Sequence, residues 1–300
     1  MVRSPAETPA VGVRFDDAFL KTLARLQIVS RRAFSGQNRA DRLAHKRAHG
    51  LEFADHRAYV AGDDFRHIDW SASKRLSRLL LRLFDEEQDL PVYLFLDSSG
   101  SMAARGKFDQ ARRIAAALCY IGLAEYDRVT IAPFGSALDH EITTGRGKGR
   151  IFEIFEQLEA LKPQGATSLI DTFKAFAGRR RPRGVTVVIS DFLDPAGFER
   201  PLLMLSRLGH DVFVVHVTAG ADRDCADLGD IRFVDAETGE WQDIELTSEL
   251  AAAYLRAWDA HTADLETLCD RYRLAYVHAD ANQPIEDIIL RTFRLGGFLA

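Results

Sequence analysis

The run Leu90-Pro91-Val92-Tyr93-Leu94-Phe95-Leu96, halted by Asp97-Ser98-Ser99-Gly100-Ser101, constrains this chain more than any other stretch. Apolar, rich in β-formers and cut off by turn residues, it reads as a buried parallel strand whose carboxyl end opens into a loop. In open α/β sheets that is where sites form. Asp97, Ser99 and Ser101 fall at every second position, so a curved loop can aim one carboxylate and two hydroxyls at a single point. Hard oxygen donors of this kind suit Mg²⁺ or Mn²⁺. The plainer alternative is that the same residues cap a helix starting near Ala103.

Two further loops bear on that choice. Gly165-Ala166-Thr167-Ser168 precedes a helical pattern from Leu169 to Phe176, and Ser168 with Asp171 resembles a capping box with Asp in place of Glu. Ser190-Asp191 closes the apolar strand Val185-Thr186-Val187-Val188-Ile189, and Asp194-Pro195 is expected to open the next helix. Taken alone, Asp191 passes as a turn residue.

Together the loops give Asp-x-Ser-x-Ser, then Thr, then Asp, each just after an expected strand or at the start of an expected helix. This combination resembles the metal-ion-dependent adhesion site of von Willebrand factor A domains. Asp97, Ser99 and Ser101 match its first loop, Thr167 its second and Asp191 its third. The resemblance implies that the hydroxyls bind the ion directly and the aspartates directly or through water, with one position left for an acidic residue of a partner protein.

A second string, from Gly50-Leu51-Glu52-Phe53 through Gly62-Asp63-Asp64-Phe65-Arg66-His67-Ile68-Asp69-Trp70, followed by Phe84-Asp85-Glu86-Glu87, is similar to the hallmark of the bacterial DUF58 family. Ala61 stands where that family usually has Pro, which loosens one turn. Members carry a von Willebrand A-like domain and are often encoded beside MoxR-type AAA+ ATPases. The likeness runs from about Gly36 to the C-terminus and implies an adaptor that works with such an ATPase. Family members with membrane helices carry them at the N-terminus, and the present chain resembles the shorter form.

The expected organisation is a disordered stretch at residues 1–14, an N-terminal helix with a basic segment and hallmark region at 15–89, and a von Willebrand A-like domain at 90–300. At 47% hydrophobic and 28% charged over 300 residues, the chain can bury a full core without help from disulfides or metals. Cys119, Cys225 and Cys269 are odd in number and widely spaced, as reduced structural thiols are. The first residues lack the apolar core of a signal peptide. The longest uncharged run, Ile114 to Ala124, falls far short of the about 20 residues a bilayer requires, so a cytoplasmic protein without membrane contact is expected.

Phe15, Phe19, Leu23 and Leu26 define an amphipathic helix that should pack on the main domain. Between Arg31 and Gly50, Arg31, Arg32, Arg39, Arg42, Lys46 and Arg47 face one acid, Asp41. Without interleaved aromatics, and in a chain of net charge -5, this segment favours an acidic partner surface or plain solvation over nucleic acid. Downstream, helices and strands alternate: helix Phe108 to Leu123, strand Arg128 to Phe134, an antiparallel edge strand Leu138 to Ile142, helix Pro201 to Leu208 and strand Val212 to Val217. A hairpin around Glu237-Thr238-Gly239-Glu240, a long helix Glu249 to Cys269, strand Leu274 to His278 and a last helix from Pro284 follow. The series predicts a doubly wound, mostly parallel α/β sheet of Rossmann type.

Other chemistries fit less well. Gly145-Arg146-Gly147-Lys148-Gly149-Arg150 fails as a phosphate loop, since Lys148 is not followed by Ser or Thr. The Ser98 to Ser101 stretch is not a nucleophile elbow. His45 and His49 are spaced four apart but flanked by Lys46 and Arg47, which repel a cation. Asp63 and Asp64 read as a turn or an ion-pair network with Arg57, Arg66 and Asp69, and Tyr59, Phe65, Ile68 and Trp70 as buried support. The resemblance implies a non-enzymatic, Mg²⁺-dependent protein-binding adaptor that works with a MoxR-type ATPase in the assembly or maturation of other proteins. A metal-dependent phosphoester hydrolase and a nucleic-acid-binding accessory protein are the alternatives.

Overall fold

The computed structural model describes residues 15–26, 28, 53–60, 65, 68–84, 91–124, 128–138, 140–144, 148–223, 229–295, 297 and 299. The expectations placed on residues 1–14, on the basic segment 31–47, on His45 and His49, on Asp63, Asp64 and Arg66, on Cys225 and on residues 145–147 fall outside them. The chain forms two compact units, residues 33–89 and the combination of 1–32 with 90–300.

In the smaller unit, strand β1 (Phe53–Ala58) pairs antiparallel with β2 (Leu80–Phe84), and a short helix, Trp70–Leu76, lies between them in sequence. Asp69 caps that helix, its Oδ1 accepting the N–H groups of Ser71 and Ala72 at 3.0 Å each. Ile68, Leu80 and Leu81 are buried, whereas Phe65 and Trp70 are 69% and 66% exposed. The expected burial of those two aromatics is thus corrected: the helix turns Ala72 and Ser73 inward, which leaves Trp70, at its first position, facing out.

In the larger unit, five apolar runs become parallel strands: β3 (Pro91–Asp97), β4 (Arg128–Phe134), and, after the two-residue strand β5 (Ile142–Thr143), β6 (Val185–Ser190) and β7 (Asp211–Thr218). An antiparallel hairpin, β8 (Gly229–Val234) with β9 (Trp241–Leu246), precedes the fifth, β10 (Ala275–Asp280). The sheet order is β10-β7-β6-β3-β4-β5, with β5 antiparallel at the edge. The edge pairing is shorter than expected, because Leu138 makes only an isolated bridge to Phe134 before Ile142 pairs with Ile131.

Every residue of β6 and β7 is buried, as strands covered on both faces must be. On one face Tyr93 and Phe95 join Phe134, Phe173, Phe176 and Phe192, with Leu202, Leu205, Leu265 and Leu268 contributed by the helices Glu199–Arg207 and Ser248–Tyr272. Phe95 lies 5.0 Å, centroid to centroid, from both Phe173 and Phe176 of helix Leu169–Gly178. Val92, Leu94 and Leu96 alternate with these residues and face the other way. There the helix Lys107–Ala124 is buried along most of its length, its alanines allowing a close approach to the strands. Helix Asp17–Leu23 belongs to the same unit, and Phe15 sets its ring 5.8 Å from that of Phe155.

This is the doubly wound α/β arrangement, with helices on both faces of a mostly parallel sheet. From β3 the chain steps outward to β4, then returns to β6 on the other side of β3 and continues to β7 and β10. The direction of winding therefore reverses between β3 and β6, and the crevice at such a point is where ligands bind in open sheets. Among the described residues no helix is long and apolar enough to cross a membrane. Cys119 and Cys269 are free and buried in helices.

Candidate functional site

Asp97 ends β3 and Ser190 ends β6, so both arrive at the switch point. The Ser190 hydroxyl donates to Asp97 Oδ2 at 2.5 Å, and the Ser99 N–H donates to Asp97 Oδ1 at 2.9 Å. Ser98 turns aside, its N–H and hydroxyl both donating to the Phe134 carbonyl at 2.8 Å. Ser99 stands at the start of the 3₁₀ segment Gly100–Gly106, where it makes no side-chain capping bond. Its Oγ lies 3.1 Å from Ser101 Oγ instead. The capping explanation for these serines therefore does not hold: the helix begins at Lys107, and the hydroxyls face each other.

The second loop is tied directly to the first. Gln164 N–H donates to the Ser98 carbonyl at 2.8 Å, and Gly100 N–H to the Gly165 carbonyl at 2.7 Å. Gly165 takes φ +73, the left-handed conformation that a side chain would strain, and this turns the chain toward Thr167. Thr167 is 8% exposed, and its Oγ1 is buried with no hydrogen-bond partner among the described residues. Ser168 does cap the helix Leu169–Gly178, with its Oγ 2.9 Å from Asp171 Oδ2.

The third loop follows β6. Asp191 Oδ2 accepts from Lys107 Nζ at 2.7 Å, and Oδ1 from the Leu193 N–H at 3.3 Å. Phe192 adopts φ 56, an unusual conformation for a bulky residue, held by its N–H donating to Ser190 Oγ at 2.8 Å and by complete burial of the ring. Asp194 opens no helix, since the next one begins at Glu199. Its Oδ2 accepts the Leu169 N–H at 2.8 Å and so binds the third loop to the second.

All five residues expected at the site thus lie on three mutually hydrogen-bonded loops at one end of the sheet. Asp97 and Asp191 are each 1% exposed. Burial pushes the Asp97 pKa well above the usual carboxylate range, and the charge of Asp191 adds to it against the bonds from Ser190 and Ser99. Among the described residues no three His, Cys, Asp or Glu side chains gather as an ion-holding group, so an ion here would need the hydroxyls as well as the carboxylates. Two carboxylates, the Ser99 and Ser101 pair and the unpartnered Thr167 hydroxyl form an oxygen set suited to a hard divalent cation.

Two residues of this site were not singled out from sequence. Ser190 passed as the end of a strand. Lys107 had a signal: a cation in the first turn of a helix opposes the helix dipole, which asks for compensating negative charge nearby.

A family profile described as "Protein of unknown function DUF58" matches residues 55–264. The uncharacterized protein Rv1480 of Mycobacterium tuberculosis is 27% identical over 257 residues, covering 83% of this chain and 81% of that protein. The uncharacterized protein Mb1516 of Mycobacterium bovis aligns with the same figures. Among solved structures, the conserved hypothetical protein BatB from Bacteroides thetaiotaomicron superposes with a TM-score of 0.41 at 15% identity, covering 69% of this chain and 98% of that one.

Proposed function

The chain belongs to the DUF58 family, and on that footing we propose that it is a non-enzymatic, Mg²⁺-dependent protein-binding adaptor of von Willebrand A type. It acts through a metal-ion-dependent adhesion site and works with a MoxR-type AAA+ ATPase in the assembly or maturation of other proteins. The observation that carries this reading is the Thr167 hydroxyl, buried without a partner among the described residues, on a loop that hydrogen-bonds to the loop of Ser99 and Ser101. Leaving such a group unsatisfied costs about 1–3 kcal/mol, which a bound cation would recover.

A bound Mg²⁺, or Mn²⁺ in its place, supplies a centre of positive charge with a position for the carboxylate of a partner protein. The protein's own groups orient that centre. Ser190 and the Ser99 N–H fix the Asp97 carboxylate, Lys107 fixes that of Asp191, and Asp194 locks the Thr167 loop to the Asp191 loop. Serine and threonine hydroxyls leave the charge of the ion uncancelled, which favours recruitment of an outside carboxylate. The non-enzymatic role and the ATPase partnership both rest on the family resemblance.

The test is calorimetric titration of Mg²⁺ and Mn²⁺ into wild type and Thr167→Ala, beside capture of MoxR-type ATPases in Mg²⁺ and in EDTA. Ion binding that Thr167→Ala abolishes, with capture lost in EDTA, is the expected result. Capture that persists in EDTA and in a correctly folded Thr167→Ala variant would remove the metal loop from the docking mechanism.

A further inference from the structure

The β8–β9 hairpin sets its tip on the loop that carries the paired serines. The turn is stiff: Asp235 Oδ1 accepts the N–H groups of Glu237 and Thr238 at 2.8 Å each, and Gly239 N–H donates to the Asp235 carbonyl at 2.9 Å. A Cβ at position 100 would stand 2.1 Å from the Ala236 carbonyl oxygen and 3.2 Å from Glu237 Cα. Any residue but glycine between Ser99 and Ser101 would therefore push the tip away.

Docked in this way, Glu237 is half-buried while its neighbours Asp235, Ala236 and Thr238 are exposed. Its Oε1 is buried with no hydrogen-bond partner among the described residues, and the Thr167 N–H lies against its carboxyl group. Two orphaned oxygens, Glu237 Oε1 and Thr167 Oγ1, thus occur beside Asp191 and Asp194, an arrangement that burial of a lone carboxylate does not favour.

We propose that Glu237 is the chain's own occupant of the coordination position otherwise open to a partner's carboxylate, so that the hairpin tip must lift before an acidic partner can bind. The inference rests on the metal reading above and adds a regulatory element to it. Among the described residues Asp97, Asp191 and Glu237 do not gather as an ion-holding group, so the inference requires the hydroxyls of Ser99, Ser101 and Thr167 to hold the ion directly. Near its tip the ribbon has little apolar burial to anchor it, since Phe233, Val234 and Trp241 are 52%, 56% and 60% exposed. Arg232, bonded to Asp243 Oδ1 at 2.7 Å and stacked 4.1 Å over Trp241, keeps it straight.

The test uses Mn²⁺ on the full chain, with affinity from calorimetry and metal-bound water from proton relaxation, for wild type, Glu237→Gln, Glu237→Ala and Asp97→Ala. Thermal melts establish that each variant is folded. Both Glu237 variants are expected to bind Mn²⁺ about tenfold more weakly and with higher relaxivity than wild type. Added acetate should lower the relaxivity of those variants and leave that of wild type unchanged. If the Glu237 variants match wild type in affinity and relaxivity while Asp97→Ala binds nothing, the hairpin inference is overturned and the metal site stands. If wild type binds no Mn²⁺, the metal reading itself fails and the inference falls with it.

Discussion

Lys107 holds its ammonium 2.7 Å from Asp191 Oδ2 with both side chains almost sealed from water, at 4% and 0% exposure. Asp222 lies on its other side, with Oδ2 at 3.8 Å. Removing one partner of a buried ion pair strands the other charge and costs about 3–5 kcal/mol. Lys107→Met should therefore melt well below wild type in EDTA. Added Mg²⁺ should raise the melting temperature of the variant more than that of wild type, because the ion replaces the missing positive charge. Scanning fluorimetry with and without Mg²⁺ checks both statements, and equal shifts for the two proteins would separate Lys107 from the ion.

The unpartnered Thr167 hydroxyl gives the sharpest division between folding and binding. Replacing an unsatisfied buried hydroxyl by a methyl of similar shape is nearly neutral or stabilising. Thr167→Val should keep wild-type stability in EDTA, within about 0.5 kcal/mol, while losing the heat of Mg²⁺ binding. Denaturant melts and calorimetry on one preparation decide it. A variant that binds Mg²⁺ like wild type would take Thr167 out of the ligand set.

His216, behind the site on β7, predicts an acid limit to stability. Burial pushes its pKa down to about 3, with His278, His261 and Lys107 adding to the shift, and its Nδ1 lies 3.0 Å from the Tyr276 hydroxyl. Because the folded pKa is below the unfolded one of about 6.5, the unfolded chain binds the proton first. The contribution of neutral His216 is complete above about pH 6.5 and is lost as pH falls toward 3. The loss should approach about 1.4 kcal/mol per pH unit within that window. His216→Gln keeps a polar partner for Tyr276 and removes the titration, so its stability should fall less steeply between pH 6 and pH 4 by urea melts. Parallel profiles would assign the acid sensitivity to other groups.

The smaller unit separates two neighbours that read alike in the sequence. Trp70 is 66% exposed and Ile68 is 8% exposed. Trp70→Ala should change stability by about 0.5 kcal/mol or less, whereas Ile68→Ala should cost about 2–5 kcal/mol. Chemical denaturation of the two variants tests the ranking, and a large loss for Trp70→Ala would mean that its ring is covered in solution.

The sequence alone determined the buried parallel strands and the loops that end them, because a fully buried parallel strand must be a continuous apolar run and its end must be polar. That is why the loops carrying Asp97, Ser99, Ser101, Thr167 and Asp191 could be placed from local pattern, although their grouping as one site came from the family resemblance, and why helix Lys107–Ala124 and strand β6 lie within a residue or two of where they were expected. Tertiary structure decided what those residues touch. Ser99 resembles a helix cap until its hydroxyl is found opposite Ser101, and Asp194 resembles a helix start until it is found bonded to Leu169, 25 residues earlier. The partnership of Lys107 with Asp191 spans 84 residues, and the docking of Ala236 on Gly100 joins a hairpin to a loop far from it in the chain. Trp70 and Ile68 carry equal hydrophobic signals, and only the direction in which a short helix faces distinguishes them. Period and composition report whether a residue wishes to be buried. Which partner meets it there depends on the winding order of the sheet, and that order brings the ends of β3 and β6 side by side at the switch point.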